Sequence, residues 1–324
     1  RGALGHADGL KVEIPRQLPT DVHLVAAQLH QFAARRRLAT SVVHTIHGLA
    51  FDALQPWYRN ALYIALERRC AQHTDLLVSV CHAMTQQALA AGVGCAAQFC
   101  TVYSGMDLAA FRAAPAHRAD TRARLGWHGD EIVLLHIGRL APMKGADVFL
   151  AALAAARART PRVRGIIIGD GPQRAMLERR AAHSLPPGTV HWTGLLPPHE
   201  IAHWLAAADV LVHASLREGL ARAVVQALAA GVPVAAYEAG GVREVAVHDR
   251  NSRICALGDQ QALIRDVELL AADDALRARL TAGARATPLD EFSTDTMVDH
   301  IAACYTTLRH AVHDEGGGGA SEVR

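Results

Sequence analysis

Short apolar runs alternate with amphipathic segments along most of this chain. Between the runs, apolar residues recur at helical spacing, as Leu62 and Leu66 do on the expected apolar face of a helix at 57–70. Strands that alternate with helices are typical of parallel sheets with helices on both faces. The pattern therefore predicts an α/β protein, with buried strands at 41–46, 75–80, 99–103, 132–137, 165–168, 190–192, 210–214, 233–236 and 252–255.

The predicted elements fall into two units. Residues 1–112 form the first, with a strand at Leu10–Ile14 and a helix at about Asp21–Arg37 before the three listed strands; 108–128 are interpreted as a linker with a short helix. Six strands in 113–290 predict a complete doubly wound, Rossmann-like domain, whereas the first domain is expected to be an incomplete version of the same fold.

Two segments follow the second domain. Residues 291–312 are predicted to contain a last helix, starting at about Thr294, and further expected helices in the second domain include one at 241–247. The glycine-rich, polar segment 313–324 is predicted to be disordered.

Composition excludes several classes of protein. The 324 residues are 51% hydrophobic and 20% charged with a net charge of +2, which is typical of a soluble globular protein and predicts no nucleic-acid partner. No apolar run is long enough for a transmembrane helix, and the beginning of the chain lacks the apolar core of a signal peptide. The six cysteines are scattered and predicted to be buried thiols of a cytoplasmic protein. The histidines show no metal-binding spacing, so no metal site is expected.

A candidate phosphate site follows the strand at 210–214. An apolar strand, the turn Glu218-Gly219 and a helix predicted at 220–230 bring unpaired helical N–H groups to one place. Arg222 and Gln226 then follow at a spacing of four residues on one helix face. An ordinary strand–helix unit is the alternative interpretation.

The turn after the strand at 132–137 has complementary chemistry. Gly138 lets the backbone approach a ligand closely, and Arg139 and Lys144 bring two cations to the end of one strand, as a diphosphate requires. Two solvated side chains are the alternative. Several further turns are candidates for backbone contacts with a ligand or for purely conformational roles: Gly169-Asp170-Gly171, Thr193–Leu196, Gly240-Gly241 and His47-Gly48.

The motifs together resemble a known family. In order, between Asp107 and Asp259, the chain reads G-R-L-x-P-x-K-G, G-D-G-P, T-G-L-L, A-D-V-L-V-H-A-S-x-x-E-G, G-V-P-V and G-G-V-R-E-V. This resembles the C-terminal domain of the retaining glycosyltransferases of family 4, which have the GT-B fold. Residues 44–48 and 75–107 resemble the back half of that family's N-terminal domain, and the helix at 294–312 resembles the family's last helix, which packs on the N-terminal domain.

The resemblance implies roles for single residues. Arg139 and Lys144 would hold the diphosphate of the donor, and Glu218, the first glutamate of the family's E-x7-E motif, would lie against the transferred sugar. A histidine that reaches this sugar corresponds to His47. The remaining donor contacts implied are the backbone at Gly138, Leu195, Gly219 and Leu220, and the side chain of Gln226, which replaces the motif's second, ribose-binding glutamate.

The implied function is retaining transfer of a sugar from a UDP-sugar or GDP-sugar to a glycan or polyprenyl-linked glycan, in cell-surface polysaccharide or glycoconjugate synthesis. It implies no metal and no cofactor, a cytoplasmic location, and peripheral contact with the inner face of a membrane. Two alternatives stay open. About 40 residues precede His47, without the family's glycine-rich loop, which fits a non-catalytic nucleotide-sugar-binding remnant. A sugar-nucleotide epimerase of the same fold would need acid–base carboxylates among Asp52, Glu67 and Asp75.

Overall fold

A computed structural model describes residues 41–127 and 129–317, with only the backbone of 309–317. The strand predicted at Leu10–Ile14 and the helix predicted at Asp21–Arg37 lie outside the described residues. The described chain divides into two compact units. The first contains 41–103 and 298–317, and the second contains 104–297.

The first unit is a small parallel α/β layer. Its described strands pair in the order β1-β2-β3, all parallel, and the apolar side chains of Ile46, Leu77 and Val80 are buried. The three strands predicted in this part of the chain are confirmed. The elements in chain order are β1 (Val43–Ile46), α1 (Trp57–Ala71), β2 (Leu76–Ser79), α2 (His82–Ala90), a 3-10 turn (Ala96–Gln98) and β3 (Phe99–Thr101).

Helix α1 does not bury the face that its apolar residues predict. Glu67 and Ala71 are buried, whereas Leu62 is 58% exposed and Trp57 81% exposed. The prediction that Leu62 lies on the core face is therefore wrong. Helical spacing defines a face but not its direction, and here the apolar residues lie on both sides of the helix. Burial raises the pKa of Glu67 to about 7.

The second unit has the order of a doubly wound domain. Its six strands are all parallel in the order β6-β5-β4-β7-β8-β9, so the chain moves outward from β4 to one edge, returns beside β4, and moves to the other edge. All six predicted strands are confirmed. The strands are β4 (Ile132–Ile137), β5 (Val163–Ile168), β6 (Val190–Gly194), β7 (Val210–His213), β8 (Val234–Tyr237) and β9 (Ser252–Cys255).

Helices cover both faces of this sheet and exclude water from its centre. Leu134, Ile166 and Val212 are fully buried, as strands sandwiched between helices require. The segment predicted as a helix at 241–247 is instead a short 3-10 helix. The elements are α3 (Leu108–Ala113), α4 (Arg118–Arg124), α5 (Ala146–Arg159), α6 (Arg174–Ser184), α7 (Pro198–Ala207), α8 (Arg222–Ala229), α9 (Gln260–Ala272), α10 (Asp274–Arg285), α11 (Thr294–Gly317) and 3-10 helices at Ala114–His117, Gly240–Glu244 and Asp290–Phe292.

The segment interpreted as a linker is an integral part of the second unit. Arg122 of α4 is 4% exposed and bonds the carbonyl oxygen of Ala207 and, at 2.6 Å, the carboxylate of Asp209 at the start of β7. Arg118 bonds the same carboxylate. Two charge-assisted contacts to Asp209 fix this segment. The alanine- and arginine-rich composition did not reveal them, because it suits exposed and buried helices equally.

Two expectations that concern helix α11 need correction. Helix α11 continues to Gly317, beyond the predicted end at 312, and 318–324 of the predicted disordered tail lie outside the described residues. Cys100 of β3 and Cys304 of α11 form a disulfide within the first unit, so the prediction that all six cysteines are thiols is wrong. A pair 204 residues apart carries no signal in sequence spacing.

Candidate functional site

The strands β4 and β7 create a topological switch point in the second unit. They are neighbours in the sheet, yet the chain leaves β4 toward β5 on one side and β7 toward β8 on the other. In open parallel sheets, the loops beyond the carboxyl ends of such strands separate and form a ligand-binding crevice. The loop 138–145 follows β4, and the turn 214–221 follows β7. Both predicted diphosphate motifs therefore lie at the carboxyl end of the sheet, on two neighbouring strands.

An ion pair joins these two loops. The Lys144 Nζ atom lies 2.8 Å from Oε1 of Glu218 and 3.2 Å from the carbonyl oxygen of Arg217. The Glu218 side chain is only 15% exposed. Burial alone would raise the pKa of Glu218, but His213 and Lys144 together lower it below its usual value, so this carboxylate is ionised. The structure thus places Lys144 and Glu218, two of the four side chains predicted to act on the donor, in direct contact.

Close backbone packing holds the loop 138–145 against the end of β7. Gly145 has a φ of 74°, and a Cβ atom added there would overlap the Ala214 carbonyl group. Met143 also has a positive φ, of 72°, and its carbonyl oxygen accepts a 2.8 Å hydrogen bond from Leu216 N. The conformation of this loop is therefore set by the neighbouring strand before any ligand binds.

The turn after β7 presents free hydrogen-bond donors. Among the described residues, the backbone N–H groups of Gly219 and Leu220 have no acceptor, and α8 begins only at Arg222. The predicted start of this helix at 220 is two residues too early, so Glu218 precedes the helix and does not share a face with Arg222. Unpaired N–H groups before a helix of eight residues supply partial positive charge toward an anion.

A further cation lies on the loop after β4, the strand next to β7. Arg139 directly follows Gly138, is exposed, and makes no ion pair or side-chain hydrogen bond with any described residue. The carbon skeleton of Lys144 is partly covered, with 35% of the side chain exposed. The loops after β4 and β7 thus carry one exposed cation, one paired cation and the N–H groups of Gly219 and Leu220, which are groups complementary to a dianion.

The donor contacts predicted for Gln226 and Leu195 lie on other elements of the second unit. Gln226 on α8 is 8% exposed, and its side-chain amide makes no hydrogen bond within residues 41–127 and 129–317. Leu195, after β6, is 83% exposed. Since β6 is two strands from β4, at about 4.8 Å per strand, Leu195 lies on the order of 10 Å from the diphosphate loop along the sheet. These positions suit a ligand longer than a diphosphate.

Two buried histidines lie beneath the ion pair and were not predicted as site residues. His213 ends β7, is 5% exposed, and has its Nε2 atom 3.5 Å from Oε1 of Glu218. His136 on the adjacent strand β4 is 1% exposed, and neither of its ring nitrogens has a hydrogen-bond partner in the described structure. The available signal was a histidine at the end of an otherwise apolar strand. Burial lowers the pKa of both histidines, to about 4 for His136.

Acid is therefore expected to destabilise the second unit from about pH 6.5 downward. His136 stays neutral in the fold to about pH 4, whereas its unfolded form takes up a proton near pH 6.5. The unfolded state binds more protons in this window, so the free energy of unfolding should fall as the pH falls, by about 3 kcal/mol at pH 4. Chemical denaturation between pH 4 and 7 measures this.

The variant that tests this assignment is His136→Gln. It should make the free energy of unfolding depend less on pH below pH 6.5, and it should leave the direction of the dependence at higher pH unchanged. His199→Gln is the control, because His199 on α7 is exposed. Identical pH profiles of wild type and His136→Gln would contradict the assignment.

Two predicted glycine turns support the site from outside. Gly169 N donates to Gly194 O, and Leu140 N donates to Asp170 O, so the Gly-Asp-Gly turn fixes the loop after β4. Gly241 N donates to the carbonyl oxygen of Gly219, at 2.9 Å. These turns form backbone hydrogen bonds with neighbouring loops, which favours a conformational role over direct contact with a ligand.

The predicted sugar-contacting histidine belongs to the first unit. His47 is exposed and directly follows β1, at the carboxyl end of that strand. Its role toward a donor sugar stays a prediction. Among the described residues, no group of three histidine, cysteine, aspartate or glutamate side chains could hold one metal ion, and no helix is long and apolar enough to cross a membrane.

Comparison with known proteins assigns most of the chain. The family described as "Glycosyl transferases group 1" matches residues 117–287, and "Glycosyl transferase 4-like domain" matches residues 17–105. A D-inositol 3-phosphate glycosyltransferase of Nocardioides sp. is 31% identical over 78% of this chain and 59% of its own. A GDP-mannose-dependent alpha-(1-6)-phosphatidylinositol monomannoside mannosyltransferase of Mycolicibacterium smegmatis is 30% identical over 86% of this chain and 73% of its own.

The chain spans about half the length of the first curated relatives, covering 59%, 42% and 47% of three of them. Among solved structures, Anabaena HepE in complex with UDP-glucose has a TM-score of 0.75 and 25% identity, covering 89% of this chain and 77% of its own. Sucrose-phosphate synthase from Thermosynechococcus elongatus, with a TM-score of 0.76 and 22% identity over 88% of this chain and 72% of its own, has a similar fold. These similarities confirm the predicted fold class.

Proposed function

Because this chain belongs to the glycosyl transferases group 1 family, we propose that it moves a sugar from a nucleotide-diphosphate-sugar to a glycan or lipid-linked glycan. The observation that carries the proposal is the crevice at the β4–β7 switch point. There the loops after β4 and β7 bring the Lys144–Glu218 pair, the exposed Arg139 and the N–H groups of Gly219 and Leu220 to the same end of the sheet. The cations and N–H groups are suited to a dianion such as a diphosphate. The carboxylate of Glu218 is suited to the hydroxyl groups of a sugar.

In the proposed reaction, the anomeric carbon of the donor sugar exchanges one oxygen for another. The bond from this carbon to the diphosphate oxygen breaks, and a bond to the acceptor hydroxyl oxygen forms. Arg139, Lys144 and the two N–H groups would stabilise the negative charge that grows on the departing diphosphate. The loop that carries Arg139 and Lys144 is held in place, because Gly145 and Met143 fix its backbone against the end of β7.

Retention of configuration is a further part of the proposal. The acceptor would attack from the face that the diphosphate leaves, and the departing phosphate oxygen would take the proton of the acceptor hydroxyl. Glu218 would then orient the sugar hydroxyls and would not act as the nucleophile, because the acceptor oxygen itself attacks the anomeric carbon. The anomeric configuration of the product, measured by NMR, distinguishes this course from inversion.

A panel of nucleotide sugars tests the proposed activity. UDP-, GDP- and ADP-sugars are added to the full chain, and thermal unfolding is followed with each. A donor present at a hundred times its dissociation constant should stabilise the protein by about 2.7 kcal/mol. Turnover is then assayed with glycan and lipid-linked acceptors. If none of these nucleotide sugars binds, the proposal is wrong.

The donor contact proposed for Gln226 gives a specific prediction. Gln226→Glu should tighten nucleoside diphosphate binding, by about threefold to tenfold, because a carboxylate makes stronger hydrogen bonds to ribose hydroxyls than an amide. Calorimetry with UDP, GDP and ADP measures the change. Gln226→Met has a similar size without the hydrogen-bonding amide and should weaken binding. Weaker binding by Gln226→Glu would show that the amide serves another partner.

We also propose that a lipid surface contacts α1 in the first unit. Trp57, Tyr58 and Leu62 are 81%, 56% and 58% exposed on the outward face of this helix. Arg59 and Arg69 lie on the same helix, and neither pairs with a carboxylate of the described residues. Aromatic side chains and arginines on one helix fit the boundary between acyl chains and anionic headgroups.

Vesicle binding tests this contact. Trp57→Ser combined with Leu62→Ser should weaken binding to anionic phospholipid vesicles at least tenfold, because each large apolar side chain contributes about 1.5–3 kcal/mol when buried. Leu269→Ser is the control, since Leu269 is an exposed apolar residue of the second unit, at 41%. Co-sedimentation measures the change. Equal binding of the double variant and wild type would contradict the assignment of α1.

The alternatives are less well supported by the first unit. The carboxylates that an epimerase would need have local roles: Asp75 Oδ2 accepts from Val42 N at 2.7 Å, Asp52 Oδ1 accepts from Leu54 N at 2.7 Å, and Glu67 is buried. A non-catalytic nucleotide-sugar-binding protein remains distinguishable by experiment. It would bind a donor in the panel and form no product with any acceptor.

A further inference from the structure

His213 is placed to serve the same carboxylate that Lys144 holds. The Glu218 Oε1 atom is 2.8 Å from Lys144 Nζ and 3.5 Å from His213 Nε2. The second distance is longer than a hydrogen bond, so Nε2 has no hydrogen-bond partner among the described residues although it is buried. A shift of the carboxylate by roughly 0.5 Å would close this gap. One carboxylate therefore lies between a bonded cation and an unbonded, buried ring nitrogen.

The surroundings of His213 leave it few other roles. Its side chain is 7% exposed, and its near neighbours with titratable groups are Glu218, Lys144 and His136. His136 lies on the adjacent strand and is itself fully buried without a hydrogen-bond partner in the described structure. A neutral His213 carries one ring N–H, and its Nε2 atom lies 3.5 Å from the carboxylate oxygen Oε1 of Glu218. Burying an unsatisfied donor is unfavourable, which gives the arrangement a preference for a bonded state.

We propose that His213 is a positioning residue that takes over Glu218 when an anionic ligand takes Lys144. The proposal rests on the proposed function, in which a diphosphate binds at this crevice. When the diphosphate accepts hydrogen bonds from Lys144, Glu218 loses its cation while still largely buried. It then turns to the Nε2–H group of His213, which keeps the carboxylate ionised and fixes its oxygens toward the donor sugar. Donor binding and the orientation of Glu218 become one coupled event.

Two variants of nearly equal size separate this role from packing. In His213→Gln, the amide nitrogen can replace Nε2 as a donor, whereas His213→Met fills the same space without a donor. We expect His213→Met to weaken binding of UDP, GDP or ADP about tenfold in calorimetry, and His213→Gln to bind within about threefold of wild type. In the Lys144→Met background, Glu218 depends on His213 before and after binding. The effect of His213→Met on affinity should therefore disappear there, as a double-mutant cycle would show.

A measurement on the wild-type protein covers the case in which a variant fails to fold. In the spectrum of protein labelled with nitrogen-15 at histidine, the Nε2 resonance of His213 should move on saturation with the nucleoside diphosphate. Nineteen histidines contribute, and His213→Gln identifies this resonance by its loss. If His213→Met and His213→Gln bind equally, or if the resonance does not move when the ligand binds, the proposal is overturned and the proposed function stands. If no nucleoside diphosphate binds wild type, the proposed function fails with it.

Discussion

Replacing both cations of the crevice is expected to abolish nucleoside diphosphate binding almost completely. Arg139→Ala and Lys144→Met should each weaken binding by about 1.5–3 kcal/mol, since each removes charge-assisted hydrogen bonds to the phosphates. The double variant should lose roughly a thousandfold in affinity. Isothermal calorimetry with the nucleotide that the donor panel selects measures all three.

The two single variants should differ in stability although they agree in binding. Arg139 is exposed without an ion pair in the described structure, so Arg139→Ala should leave the free energy of unfolding unchanged. Lys144→Met leaves the carboxylate of Glu218, whose side chain is 15% exposed, without its cation and should destabilise the second unit. In the Glu218→Gln variant the partner of Lys144 is neutral. Adding Lys144→Met to that variant should therefore lower the free energy of unfolding by less than it does in wild type.

Arg250→Ala is the control for charge alone. Arg250 is exposed and lies just before β9. This position is at the amino end of the parallel strands, whereas the crevice is at their carboxyl end. Removing it changes the net charge as Arg139→Ala does, so a similar loss of binding in both would show a general electrostatic effect. Wild-type affinity in the Arg139, Lys144 double variant would overturn the site.

The sequence predicts the sheet of the second unit well because its strands are buried on both faces. Runs such as 132–137 and 210–214 are almost continuously apolar, and helices of ordinary length separate them. Because strands and helices alternate, the strands are expected to be parallel, and Arg139 and Glu218 are then placed at the same, carboxyl end of the sheet. The switch point itself, between β4 and β7, follows from strand order, which spacing alone does not reveal.

Three of the wrong or missing predictions concern direction and distance. In α1, Leu62 is exposed and Glu67 is buried, and periodicity cannot assign inside and outside. The disulfide joins Cys100 to Cys304 across 204 residues. His213 was overlooked as a site residue because a single histidine in a strand is usually structural. Its proximity to Glu218 appears only when the turn after β7 folds back over the strand end.

Gly145→Ala is expected to be the most destabilising conservative change in the crevice. At a φ of 74°, alanine costs about 1–2 kcal/mol from the left-handed backbone conformation alone. The new Cβ atom would also lie well within 3.0 Å of the Ala214 carbonyl group, which belongs to backbone at the end of β7 and cannot turn away as a side chain could. We expect a total loss of about 3–5 kcal/mol, together with weaker nucleotide binding because the loop of Arg139 and Lys144 is displaced.

Gly188→Ala separates the two causes. Gly188 has the same φ of 74°, and a Cβ atom there would meet nothing within 4 Å. Its replacement should cost only the backbone part, about 1–2 kcal/mol, and should leave binding intact. Urea denaturation of both variants, with calorimetry on the same samples, gives the comparison. Equal losses of stability in the two variants would mean that the loop after β4 can move away from β7, and the crevice would then not be preorganised for a diphosphate.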